Sequence, residues 1–176
     1  MFDISSIRRE VDDGFLAAEY IEVPADSKLL SNKKYSLLAH IYWKNLKEKT
    51  PQSLMEVMNI SAYKAKSLAS IFKDEPSSKE TVKISRDKVQ HFMSVGDDLM
   101  FKIYVLMLKR YETGEKTFSK TDICVGCGYS NSDRSRKMID DRMKRLAQDR
   151  YVSFENKGYM IGGNGPRYEI RAVRTI

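Results

Sequence analysis

The sequence predicts a mainly α fold with small β-hairpins, arranged as two tandem modules. Three observations lead there. Between Phe118 and Val173 a short helix, a polar turn, a longer basic helix and an alternating hairpin follow one another without a gap. Between Glu19 and Ser85 a related order appears: strand, helix, short helix, turn, helix and a second alternating run. Within the longer helical stretches of both regions, apolar residues recur at helical spacing.

The C-terminal run is the better defined. Ser119 and Asp122 form an S-x-x-D capping box, which satisfies orphan N–H groups and starts a helix at Lys120. That helix stops at Gly126 or Gly128, and Tyr129–Ser132 make a polar turn. Ser130 (with Asp133) or Ser132 caps the next helix, which spans about Asp133 to Gln148. Ser135, Ile139, Met143 and Leu146 share its small or apolar face; Arg134, Lys137, Asp141 and Lys144 share the opposite one, with Arg136 at the edge. Such a helix keeps one face for a core and one for solvent or phosphate. Tyr151–Glu155 then reads as a strand, Asn156-Lys157-Gly158 as a tight turn and Tyr159–Ile161 as the return. Gly162–Pro166 reads as an exposed loop and Arg167–Val173 as a further strand.

Earlier in the chain, Ile7, Val11 and Phe15 lie four apart, which fits a short amphipathic helix or an arm laid on a partner subunit. Glu19–Val23 is a strand ended by Pro24. A helix is expected from Asn32 or Lys33 to Leu46, with Leu37, Leu38, Ile41, Tyr42 and Trp43 on one broad face. Thr50-Pro51 supplies a cap and a first-turn proline for a helix over Gln52–Asn59. Tyr63–Phe72 follows, with Ala65, Leu68, Ala69 and Phe72 inward. Asp74–Lys79 reads as a linker. Glu80–Ser85 alternates, as the hairpin of the first module or as a partner for Glu19–Val23, and Ser85 caps a helix over Arg86–Met93. Leu99–Tyr111 is the most apolar helix. The expected organisation is therefore an N-terminal module over 1–80, a linker and connecting helix over 81–98, and a C-terminal module over 99–176.

Composition narrows the classes. The chain has 176 residues and 41% hydrophobic content, enough for real cores. No run of apolar residues reaches the length a transmembrane helix needs. The opening MFDISSIRREVDDG lacks the apolar segment of a signal peptide, so the expected location is cytoplasmic. Cys124 and Cys127 are the only cysteines, and His40 and His91 are far from them in sequence. A zinc site usually needs four ligands, so the pair reads as core packing, with a metal shared across a dimer as the alternative. No Walker loop or Ser/His/Asp arrangement occurs, and an enzyme, a cofactor or a metal is not expected. Net charge is +7. Residues 1–100 hold 15 Lys and Arg against 15 Asp and Glu, whereas residues 101–176 hold 16 against 9. A basic field localised in this way favours a polyanionic partner; the alternative is a solubilising charge run.

The C-terminal run resembles the winged helix-turn-helix DNA-binding domain, its hairpin being the wing. The stretch EYIEVPADSKLLSNKKYSLLAHIYWKNL is similar to the opening of plasmid and phage replication initiators with tandem winged-helix modules. The resemblance implies a double-stranded DNA partner, with the second helix of the turn in the major groove. Arg134, Arg136 and Lys137 are then the candidates for base edges. Ser130, Asn131 and Ser132 suit phosphate or base contact, Lys144 and Arg145 the backbone, and Lys157 and Arg167 phosphate or the minor groove. Asp140 and Asp141 are expected to pair with Arg136, Lys137 or Arg145. In the first module Lys64 and Lys66 are the only cations near the start of the third helix. Weak DNA binding and dimerisation through its aromatic face are both open for it, with Tyr35, Tyr42 and Trp43 filling either a core or a partner surface. A dimeric transcription regulator, a protein-binding scaffold and a single-stranded DNA target stand as alternatives.

Overall fold

A computed structural model describes residues 10–74, 79–159 and 165–175. In order, the chain forms α1 (Asp13–Ala17), β1 (Tyr20–Pro24), α2 (Ser27–Leu30), α3 (Leu37–Asn45), α4 (Pro51–Met58), α5 (Ala62–Asp74), β2 (Thr81–Ser85), α6 (Arg86–Val95), α7 (Asp98–Glu112), β3 (Thr117–Ser119), α8 (Lys120–Gly126), α9 (Asp133–Gln148), β4 (Val152–Tyr159) and β5 (Pro166–Val173). The fold is mixed: helices with two small antiparallel sheets, ordered β1-β2 and β3-β5-β4. Two compact units result. One joins the chain up to Pro24 with Lys34–Asp98; the other joins Ala25–Lys33 with the chain from Leu99 onward.

In the first unit, β1 and β2 pair from Tyr20↔Ser85 to Pro24↔Thr81. The pairing buries Ile21 and Val23 beside Val82 and Ile84, so of the two roles open to the Glu80–Ser85 run, the strand partner is the one adopted. Ser85 Oγ accepts from Lys88 N at 3.4 Å and starts α6, which ends at Gly96 in the left-handed region. Residues 81–98, expected as a linker and connecting helix, therefore include a strand and a helix of the first unit's own body. Sequence spacing alone leaves that pairing open, because the two strands lie on either side of α3–α5.

Helix α3 of this unit starts later than expected, at Leu37. Ser36 Oγ accepts from Ala39 N at 3.1 Å, and Asp98 Oδ1 accepts from Leu38 N at 2.9 Å, so the first orphan donors are satisfied there. Leu37–Trp43 are all buried. The His40 ring stacks on Phe72 at 4.9 Å, and its Nδ1 lies 2.6 Å from the Tyr35 hydroxyl. Tyr35, Tyr42 and Trp43 sit in the core, at 1%, 5% and 6% exposure. Of the two roles open to these aromatics, a core or a partner surface, the core is the one adopted. Val11 and Phe15 are buried too, with Val11 bridged to Leu46; Ile7 lies outside the described residues.

The second unit is built on α7, where Met100, Phe101, Ile103, Tyr104, Val105, Met107 and Leu108 are buried. Two lysines of that helix hold the 25–33 segment: Lys102 Nζ donates to Asn32 O at 3.3 Å and Lys109 Nζ to Ala25 O at 3.0 Å. Leu29 and Leu30 of α2 are buried. The segment also passes close to the turn after α8. Gly128 has φ +81°, and a Cβ there would stand 2.1 Å from Ser31 O. Lys33 Nζ lies 4.8 Å from the centre of the Tyr129 ring. The module expected at 99–176 thus takes in Ala25–Lys33 as well.

Candidate nucleic-acid interface

The site begins with the capping box. Ser119 Oγ accepts from Asp122 N at 3.2 Å while Asp122 Oδ2 accepts from Ser119 N at 2.8 Å. Ile123, Cys124 and Cys127 are fully buried, which fixes α8 on the core. Burial pushes the Cys124 thiol up, although the Arg136 charge opposes it. Both cysteines are free thiols, and among the described residues no cluster of His, Cys, Asp and Glu could hold a metal ion. Ser119→Ala is expected to cost about 1 kcal/mol of stability, seen as a lowered thermal midpoint.

Of the two candidate caps for α9, Ser132 is used: its Oγ accepts from Ser135 N at 3.2 Å. Ser135, Ile139, Met143 and Leu146 are buried, as the spacing predicts. Arg134, Lys137, Asp141, Lys144 and Arg145 face solvent, as do Ser130, Asn131 and Ser132 in the turn. Their partners differ. Arg136 donates to Asn131 Oδ1 at 3.1 Å and pairs with Asp133. Lys144 pairs with Asp140 at 2.8 Å and Arg145 with Asp149 at 4.0 Å. Arg134 and Lys137 have no ion-pair partner among the described residues.

Asp140 departs from the partners expected for it. It bridges Lys144, one turn on, and Lys120 of α8, each at 2.8 Å. Burial works to raise its carboxyl, but the hydrogen bonds from both lysines outweigh that and hold it below the usual carboxylate range. Burial lowers Lys120 in turn, and the Asp140 contact more than restores it. A depressed carboxyl contributes stability above its unfolded pKa of about 3.9, which is lost as pH falls through the folded value. Asp140→Asn is therefore expected to lower stability at neutral pH and to flatten its dependence on pH below about 4. Chemical denaturation across that range checks it.

In the hairpin, Asn156-Lys157-Gly158 is a β-bulge within β4 and not the reversal expected there. Asn156 pairs with Tyr168 and Gly158 with Arg167, so the strand runs on to Tyr159 opposite Pro166. Gly158 takes φ +77° and donates its N–H to Asn156 Oδ1 at 2.8 Å. The same side chains that would make a turn here make a bulge, because β5 continues to offer a partner. The Gly-rich loop expected over 162–166 falls mostly outside the described residues.

Carboxylates hold both hairpin candidates. Lys157 lies 3.5 Å from Glu155 and 3.4 Å from Glu169, and Arg171 pairs with the same two. Arg167 bonds Asp122 Oδ2 at 3.1 Å, the carboxylate that closes the capping box. Arg167 thereby ties β5 to the start of α8. Between α8, α9 and the loop end of the β4–β5 hairpin lies an open cleft of about 600 Å³. Lys120, Thr121, Asn131, Arg136, Lys137 and Asp140 line it, with Gly165 and Pro166 at its rim. Lys120 and Thr121 were not among the sequence candidates. Their position directly after the Ser119 cap is the one local signal they carry.

Comparison with protein-family models, with curated proteins and with solved structures gives no match for this chain.

Proposed function

We propose that the chain is a double-stranded DNA-binding protein whose second unit is a winged helix-turn-helix. In this reading α9 enters the major groove, the cleft receives the adjacent backbone, and the β4–β5 hairpin is the wing. The observation that carries it is the pair Arg134 and Lys137, exposed at the start of α9 and without a carboxylate partner among the described residues. A cation already paired must break its pair to meet a phosphate or a base; these two need not. Their helix buries its opposite face, so its direction relative to the unit is fixed. The unit also holds the chain's basic excess.

The finer reading is a replication initiator or accessory DNA-binding protein of a plasmid, phage or other mobile element, acting in the cytoplasm. It is supported by the order of strand, proline and helices in the first unit, the feature that the sequence resemblance rests on. Selected binding sites separate it from a transcription regulator: direct repeats favour the initiator and a single inverted repeat favours the regulator.

The experiment is a titration of the whole chain with duplex DNA at several salt concentrations. The whole chain is used because Ala25–Lys33 packs in the second unit. Each phosphate neutralised adds about −0.9 to the slope of log affinity against log salt. Binding that weakens steeply with salt supports the proposal. Absence of binding even at low salt ends it and turns attention to an acidic protein partner.

A further inference from the structure

We propose that the solvent face of α5, in the first unit, is a second nucleic-acid site that takes an unpaired strand by stacking a base on Tyr63. It does not depend on the assignment of α9. Tyr63 is 85% exposed, the most exposed large hydrophobic side chain among the described residues. It is not needed for packing, since α5 buries Ala65, Leu68, Ala69 and Phe72 on its other side. Ser61 Oγ accepts from Lys64 N at 3.2 Å, which fixes the first turn that carries the ring.

Along the helix from the ring to Lys73, the exposed polar side chains are cations and hydroxyls. Lys64, Lys66, Ser67, Ser70 and Lys73 are exposed. From Ile60 to Lys73 the sequence contains no Asp or Glu. Lys64, Lys66 and Lys73 have no ion-pair partner among the described residues, whereas most cations near α9 and the hairpin are held by carboxylates. The nearest carboxylate before the helix, Glu56 on α4, accepts from Gln52 at 2.9 Å. An exposed aromatic ring among hydroxyls and cations that hold no carboxylate among the described residues is the composition of a stacking platform with phosphate contacts beside it.

The ring decides between a strand and a duplex. Within a duplex each base face is covered by its neighbours, so an exposed ring has no face to stack on. An unpaired strand offers that face, with phosphates on either side for Lys64 and Lys66. Stacking tolerates any sequence, since every base has a π-face.

The test uses the whole chain, labelled oligothymidine and a labelled duplex. Tyr63→Ala is expected to weaken oligothymidine binding roughly tenfold and to leave duplex binding unchanged. Tyr63→Phe is expected to keep the wild-type affinity, because stacking needs the ring and not the hydroxyl. Arg134→Ala should show the opposite preference, losing duplex and keeping oligothymidine, so failure of the α9 assignment is read separately. Far-UV circular dichroism confirms that the variants fold. The proposal is overturned if wild type does not bind oligothymidine, if Tyr63→Ala leaves that binding unchanged, if Phe loses as much as Ala, or if the Ala variant loses duplex equally.

Discussion

Replacing Arg134 by Ala is expected to weaken binding to the preferred duplex by about 1–3 kcal/mol, roughly 5- to 150-fold, and to relax sequence preference at one position. The size follows from what Arg134 does not do. It is exposed on the first turn of α9 and holds no carboxylate among the described residues. Its removal therefore leaves no unpaired partner and costs little stability; the loss falls on binding. Arg136, two residues on, is the contrast. It is tied to Asn131 and Asp133, so Arg136→Ala frees a carboxylate at the interface and should weaken all sequences alike. Lys137→Ala should also act on all sequences, lowering the salt slope by about one phosphate's worth. Competition between a selected site and a scrambled one distinguishes the cases. If Arg134→Ala and Lys137→Ala weaken both DNAs equally, Arg134 does not read a base.

The second large effect is on stability. Gly128→Ala is expected to destabilise the second unit by about 3 kcal/mol. Holding a non-glycine residue at φ +81° costs about 1–2 kcal/mol. Forcing a methyl into packed structure adds about 1–3 kcal/mol. Here the added carbon would stand 2.1 Å from Ser31 O and 3.1 Å from Lys33 N, both backbone atoms. That backbone is not free to retreat, because Lys102 and Lys109 grip the carbonyls of Asn32 and Ala25. Gly158→Ala is the control. Its φ is +77° but nothing lies within 4 Å of the added carbon, so only the conformational cost applies, about 1–2 kcal/mol. Thermal unfolding of the two variants side by side gives the difference. Equal shifts would mean that the 25–33 segment yields without cost.

Much of the local structure was legible in the residues, and so was the face of the candidate site. Ser119 with Asp122, Thr50 with Pro51, and Ser85 each start the helix expected of them. The buried stripe of α9, and hence the exposure of Arg134 and Lys137, follows from the spacing of Ile139, Met143 and Leu146. These features depend on groups within about one helical turn of each other, so neighbouring residues suffice to decide them. Tertiary structure decided what depends on distant partners. The pairing of β1 with β2 assigned residues 81–98 to the first unit, and the grip of Lys102 and Lys109 assigned Ala25–Lys33 to the second. Continuation of β5 made Asn156–Gly158 a bulge where the same residues alone would serve as a turn. Lys120 reached Asp140 from another helix and brought an unforeseen cation into the cleft. In each case the local chemistry permitted more than one outcome, and the partner that folding brought within reach selected one.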